Sequence, residues 1–215
     1  MESPLIYSRI KNKARKSNIA VPPNHEEILR KYKNVGNLEG NRIVFSWLSD
    51  TGNTILNASS MVPGCVVFNA EWAAQVVLYD SEETMNAFKI TVGHELTHKD
   101  NEIAWWRYWR RAERQFVAQV NEVRADFGGN MRMCGSNRET LLNAINYKKQ
   151  LRAQDNGDFL HPPWYKRYEY VERYDFGAEL INKIADDVGC YNQGLREYVI
   201  NHYSDIILTP PPKIA

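Results

Sequence analysis

Apolar residues recur along this chain in two rhythms, and the change between them falls near residue 70. Before it, short β-rich runs are separated by turn-forming residues: Arg42-Ile43-Val44-Phe45-Ser46-Trp47, a run over 54–58, and Cys65-Val66-Val67-Phe68. Gly36 to Gly40, Asp50-Thr51-Gly52-Asn53 and Pro63-Gly64 punctuate them. The pattern predicts a small sheet of about three strands. From Glu71 onward the spacing is helical. Met85, Phe88, Val92 and Leu96 share one stripe, opened by Asp80-Ser81-Glu82-Glu83, a capping box with Asp80 at the cap. Further helices are predicted over 102–133 (broken near its start), 138–152, from His161-Pro162-Pro163 onward, 176–188 and 193–203, with a polar loop over 153–159. Asn24 caps a short helix over 25–33, with Glu26 and Glu27 in the first turn where the helix dipole favours them.

These elements predict an α+β fold, a small sheet packed on a mainly helical domain. Residues 1–23 are polar and end in Pro22-Pro23, which reads as an N-terminal arm. Residues 24–172 read as the domain proper, and 173–215 as a helical extension ending in the stiff stretch Thr209-Pro210-Pro211-Pro212.

Composition narrows the function classes. At 215 residues the chain can bury a hydrophobic core without disulfides. A net charge of +1 gives no overall field to attract nucleic acid, so none is expected as a partner. No window approaches the roughly 20 apolar residues of a membrane span, and the basic stretch over 9–16 is unlike a secretory signal. Cys65, Cys134 and Cys190 are odd in number and lack CxxC spacing, which points to reduced thiols and a cytoplasmic setting.

The chemistry-bearing motif is Thr91-Val92-Gly93-His94-Glu95-Leu96-Thr97-His98, a His-Glu-x-x-His on a predicted helix. Residues i and i+4 share a helical face, so His94 and His98 can both reach one zinc ion. Zinc acidifies water, and Glu95 beside it can act as general base. Such a site needs a third protein ligand. Glu122, in Asn121-Glu122-Val123-Arg124-Ala125-Asp126, follows His98 by 24 positions, enough for a second helix to return alongside. Asp126, one turn on, can accept a hydrogen bond from a ligand imidazole and orient it. The metzincin pattern would need Gly at 101 and His at 104, where this chain has Asn101 and Ala104. A glutamate-liganded site, the gluzincin type, remains.

With these pieces assembled, residues 40–170 resemble the catalytic domain of the CAAX prenyl protease and HtpX heat-shock protease family. Asn57-Ala58, Pro63-Gly64 and the apolar run Cys65 to Phe68 resemble that family's edge strand. Thr91 to His98 resembles its active-site helix, and Glu122-Val-Arg-Ala-Asp126 its Glu-x-x-Ala-Asp. Cys134-Gly135 with Arg138 to Ala144 resembles the helix that follows, and His161-Pro162 with Arg167 its His-Pro-x-x-x-x-Arg element. The resemblance implies a zincin-like zinc metallopeptidase with one catalytic ion, holding an extended peptide on Cys65, Val66, Val67 and Phe68. It also implies that His161 stabilises the tetrahedral intermediate, with Arg167 as a supporting charge. Integral members carry membrane helices, some between zinc motif and third ligand. The interval 99–121 here is too short and too charged for one, so the resemblance is to small soluble relatives. The alternative is a zinc-binding scaffold or sensor without catalysis, or a latent enzyme whose N-terminal arm or C-terminal helices fill the cleft.

The segment 103–114 concentrates three tryptophans and four arginines, the composition of an interfacial membrane helix or of a site for an acidic partner. Trp105, Trp109, Ala112, Phe116, Val120, Val123 and Phe127 fall on one helical stripe, which favours a core face with arginines outward. Trp106 and Tyr108 lie off that stripe, where they can line a cleft.

Overall fold

The centre of the sheet is β3 (Cys65–Asn69), paired in parallel with β1 (Arg42–Ser46) and antiparallel with β2 (Ala58–Ser59). The computed structural model describes residues 3–47, 56–60, 63–151 and 157–209. The turn expected at 50–53, the start of the run over 54–58, part of the 153–159 loop and the proline tail after Thr209 lie outside them. Cys65–Phe68 is therefore an inner strand, contrary to the expected edge. Its residues are apolar without the polar alternation of a half-exposed strand, and four of its five positions are buried. Ile43 faces Val66 and Phe45 faces Phe68 in the parallel pair, and Phe45 and Phe68 both pack on Phe88. Among the described residues the outer strand on the other side is β2.

Residues 4–17 correct the expectation of a polar arm. They form α1 (Pro4–Ser17), with Pro4 in the first turn and Ser3 as its cap. Ile6, Ile10 and Ala14, spaced by four, are buried beside α3 (Ala70–Leu78). Arg9 and Lys13 flank that stripe and pair with Glu71, which is buried on α3. The basic side chains that make the stretch look solvated thus clamp it in place. The helix over His25–Lys33 is present as α2 (His25–Lys33).

Helix α4 (Glu82–Thr97) is capped by Ser81, whose Oγ accepts from the Thr84 amide at 3.1 Å. Asp80, expected at the cap, instead accepts from Lys31 and the Tyr32 hydroxyl. Helix α5 (Arg111–Cys134) begins later than the sequence pattern suggests. Trp105–Arg107 is a single 3-10 turn, and Tyr108 and Arg110 are extended. The expected stripe therefore fails at Trp109, which is 97% exposed, while Trp105 and the positions from Ala112 onward pack against the core. Then follow α6 (Arg138–Gln150), α7 (Trp164–Arg173), α8 (Ala178–Asp187) and α9 (Gln193–His202).

A single core cluster runs from Ile6 through Phe88, Phe116 and Phe127 to Leu180, Val199 and Leu208. The divisions expected at residues 23 and 172 thus do not separate cores. Among the described residues no helix is long and apolar enough to cross a membrane.

Helices α4 and α5 cross with almost no side chain between them. A carbon added at Gly93 would sit 2.5 Å from the Gly129 carbonyl oxygen, and one at Gly129 would sit 2.5 Å from the His94 nitrogen. Gly128 meets the Thr97 side chain in the same way. These three glycines let the backbones touch, which brings the second helix within reach of the histidines on the first.

Candidate metal centre

The α4–α5 crossing places His94, His98 and Glu122 around one point. The two Nε2 atoms are 3.1 Å apart. Oε2 of Glu122 lies 3.5 Å from His94 Nε2, and Oε1 lies 3.4 Å from His98 Nε2. These residues form a group able to hold a metal ion, their ligand atoms all within 4.8 Å of one another.

Each imidazole is held from behind by a carboxylate. His94 Nδ1 is 3.0 Å from Asp126 Oδ1, and His98 Nδ1 is 3.0 Å from Glu102 Oε2. An ionised carboxylate only accepts, so each Nδ1 carries a hydrogen and each Nε2 is the nitrogen left for an ion. Both carboxylates are themselves fixed. Asp126 receives the Arg167 guanidinium in two hydrogen bonds, with Nε to Oδ2 at 2.6 Å, and Arg167 stacks on Trp164. Glu102 accepts from Asn121 Nδ2 at 2.7 Å. Asn121 Oδ1 accepts from the Tyr203 hydroxyl at 2.7 Å, and that hydroxyl accepts from the Ile103 amide at 2.9 Å. Just past α9, Tyr203 thus props the His98 side of the site. These bonds draw Glu102 and Ile103 toward the histidines, which explains why α5 cannot start there. Asn101, at φ 52°, turns the chain back after α4.

Burial alone would lower the His94 pKa, but the hydrogen bonds it gives to Asp126 and Glu122 outweigh burial and raise it to about 9. Burial alone would raise Glu122, yet bonding to His94 brings it down to about 2. Burial likewise opposes ionisation of Asp126, and Arg167 with His94 holds its carboxyl well below the usual range. Without an ion the cluster stores a proton on His94, and ionised carboxylates surround it, a charge arrangement that suits a cation.

A cavity of about 490 Å³ opens over the cluster. His94, Glu95, His98 and Glu122 lie along it, β2 with Leu56 and Asn57 forms one wall, and Gly157, Asp158, His161 and Pro162 form another. Glu95 is half-buried on this surface, and its carboxylate has no hydrogen-bond partner among the described residues. His161 reaches the site: its Nε2 is 3.5 Å from Glu122 Oε1, and its Nδ1 is 2.8 Å from Asp158 Oδ1. Arg167 borders the cavity with its guanidinium committed to Asp126.

Several expectations need correcting. Cys65, Val66, Val67 and Phe68 do not line the cavity; Ala58 and Ser59 of the neighbouring strand do. Trp106 and Tyr108 lie away from it as well. Among the described residues, none from 3–23 or 173–209 lines it.

Sequence reasoning missed Glu102, Asn121, Asp158 and Tyr203. Glu102 had a usable signal, since it follows His98 by one helical turn's spacing, and Asp158 stands three before His161. Tyr203, a hundred residues from Ile103, had none. In comparisons with known proteins, the chain matches no family model, no curated protein and no solved structure.

Proposed function

We propose that this chain is a zinc metallopeptidase of the gluzincin type, with a zincin-like arrangement of α4, α5 and the sheet. The observation that carries this reading is the close clustering of the candidate ligand atoms. Two ligands bound tetrahedrally to zinc at about 2.0–2.1 Å stand about 3.3 Å apart. The Nε2 atoms of His94 and His98 stand 3.1 Å apart, and the two oxygens of Glu122 approach them one each, Oε2 at 3.5 Å from His94 and Oε1 at 3.4 Å from His98. The donor set of two imidazoles and one carboxylate suits zinc, and the cavity above it leaves a coordination position open, as catalysis requires. A purely structural ion would be closed off by a fourth side chain.

When bound, zinc supplies Lewis acidity that polarises a peptide carbonyl and eases loss of a proton from water. Glu95, next to His94 on the helix but facing the cavity, takes that proton and returns it to the departing amine. His161, with its Nδ1–H given to Asp158, can in its imidazolium form donate Nε2–H to the oxygen on which negative charge develops. Asp126 and Glu102 keep the imidazoles aimed, and Arg167 acts through Asp126. An extended peptide lies along Ala58 and Ser59, the strand at the cavity wall, and not along β3 as the sequence suggested.

The test is cleavage of a quenched fluorescent peptide library by the zinc-loaded protein and by Glu95→Gln. The wild type should turn over extended peptides. The variant, at equal zinc content, should be slower by at least about a hundredfold. Equal rates, or no turnover by either protein, would reduce the chain to a zinc-binding scaffold.

A further inference from the structure

The segment between α4 and α5 is built unlike a core element. Trp109 is 97% exposed and Trp106 66% exposed. Arg107, Arg110 and Arg111 are exposed between and beside them. The acidic residues of the segment are turned inward and occupied: Glu102 faces His98 and accepts from Asn121, and Glu113 accepts from Asn192. That last bond fixes the α8–α9 loop beside the first turn of α5, and the residue before Asn192 is Tyr191, itself 84% exposed. Aromatic and cationic side chains are therefore exposed together along this segment, where Glu113 pairs with Arg110 at 3.8 Å and is itself largely buried.

We propose that this surface docks onto the anionic face of a lipid bilayer. Its charge calls for an anionic partner, and its shape selects among anionic partners. A peptide or protein ligand is gripped where aromatic side chains form part of a well-packed pocket. A tryptophan at 97% exposure has no neighbouring wall with which to form one. It can instead enter a soft phase from a convex surface, as indole and phenol rings do at the headgroup level. The arginines add electrostatic attraction, worth about fivefold in partitioning for each one near an anionic surface. The docked surface would lie next to the cleft, because Trp105, Arg111 and Arg114 pack on Phe159, two residues from His161. The inference goes beyond the peptidase reading and needs neither a bound metal nor cleavage.

The experiment is flotation of the full chain with vesicles of phosphatidylcholine alone or mixed with phosphatidylglycerol. The chain should float with the mixed vesicles, with tryptophan emission moving to shorter wavelength, and high salt should release it. Trp106→Ala with Trp109→Ala should weaken flotation at least tenfold at unchanged thermal stability, since both side chains are exposed. Arg107→Gln with Arg110→Gln should weaken it by about 25-fold. Failure to float with mixed vesicles would overturn the proposal, and so would flotation indifferent to the tryptophan pair. Binding to polyglutamate without binding to vesicles would assign the surface to an acidic polypeptide and overturn it too.

Discussion

Gly129→Ala tests what brings the two halves of the metal site together. The added carbon would meet three backbone atoms of α4: His94 nitrogen at 2.5 Å, Ile90 oxygen at 2.8 Å and Gly93 carbon at 2.9 Å. A side chain could rotate away, but helical backbone cannot. Raising the closest approach to an ordinary 3.4 Å contact moves α5 off α4 by about 0.9 Å, in an interior packed too densely to absorb it elsewhere. Overpacking of this kind costs about 1–3 kcal/mol. The same displacement carries Glu122 away from His94 and His98, whose atoms now stand at 3.1 to 3.5 Å, and metal sites tolerate only about 0.5 Å of such slack. The expected result is a lower urea midpoint together with at least a tenfold loss of zinc affinity in competition with a chromogenic chelator. Gly194→Ala is the control, because its added carbon meets nothing nearer than 3.7 Å and should leave zinc affinity unchanged without lowering the urea midpoint. Wild-type stability and affinity in Gly129→Ala would refute the claim that glycine contact sets the spacing of the ligands.

Two further outcomes follow from the site. In the metal-free chain, His94 has a folded-state pKa of about 9, above the roughly 6.5 of an unfolded histidine. Its contribution is therefore fully present below pH 6.5 and lost as pH rises through 9, a change of a few kcal/mol at most. Glu122, lowered to about 2, contributes stability that is lost as pH falls through 2; this is the same ion pair seen from the other end and is counted once. Urea titrations across pH should show the alkaline decline without metal, and zinc should abolish it by holding the imidazole neutral; an unchanged slope with zinc would contradict the assignment. Tyr203→Phe removes the hydroxyl that joins Ile103 to Asn121 and leaves two buried groups unpaired, costing about 1–3 kcal/mol. Because Glu102 loses its anchored partner, zinc affinity should also fall, by up to about tenfold, in the chelator assay. A stability loss with affinity untouched would confine Tyr203 to packing.

Much of the centre was legible in the sequence because it is local. His94, Glu95 and His98 lie within five positions on one helix, and the 3.6-residue period alone predicts which face each takes. Glu122 and Asp126 required the added assumption that a second helix returns alongside. Gly93, Gly128 and Gly129, which permit the close crossing, went unread as such in the sequence. The misreadings have physical causes. Basic residues at α1 mask its apolar Ile6-Ile10-Ala14 stripe, because the clamp on Glu71 is made across some sixty residues of sequence. Likewise, the Trp105–Phe127 stripe ignores the hydrogen bonds that hold Glu102 and Ile103 out of α5. Strand order was not readable either, since which strand stands at the edge depends on pairing between distant segments.

Elemental analysis of the purified wild type beside Glu122→Ala decides whether His94, His98 and Glu122 together bind one zinc ion. About one zinc per chain is expected in the wild type and a marked deficit in the variant, with the fold retained. Equal zinc in both would remove Glu122 from the ligand set, and a wild type that takes up none even after reconstitution would contradict the metal centre itself.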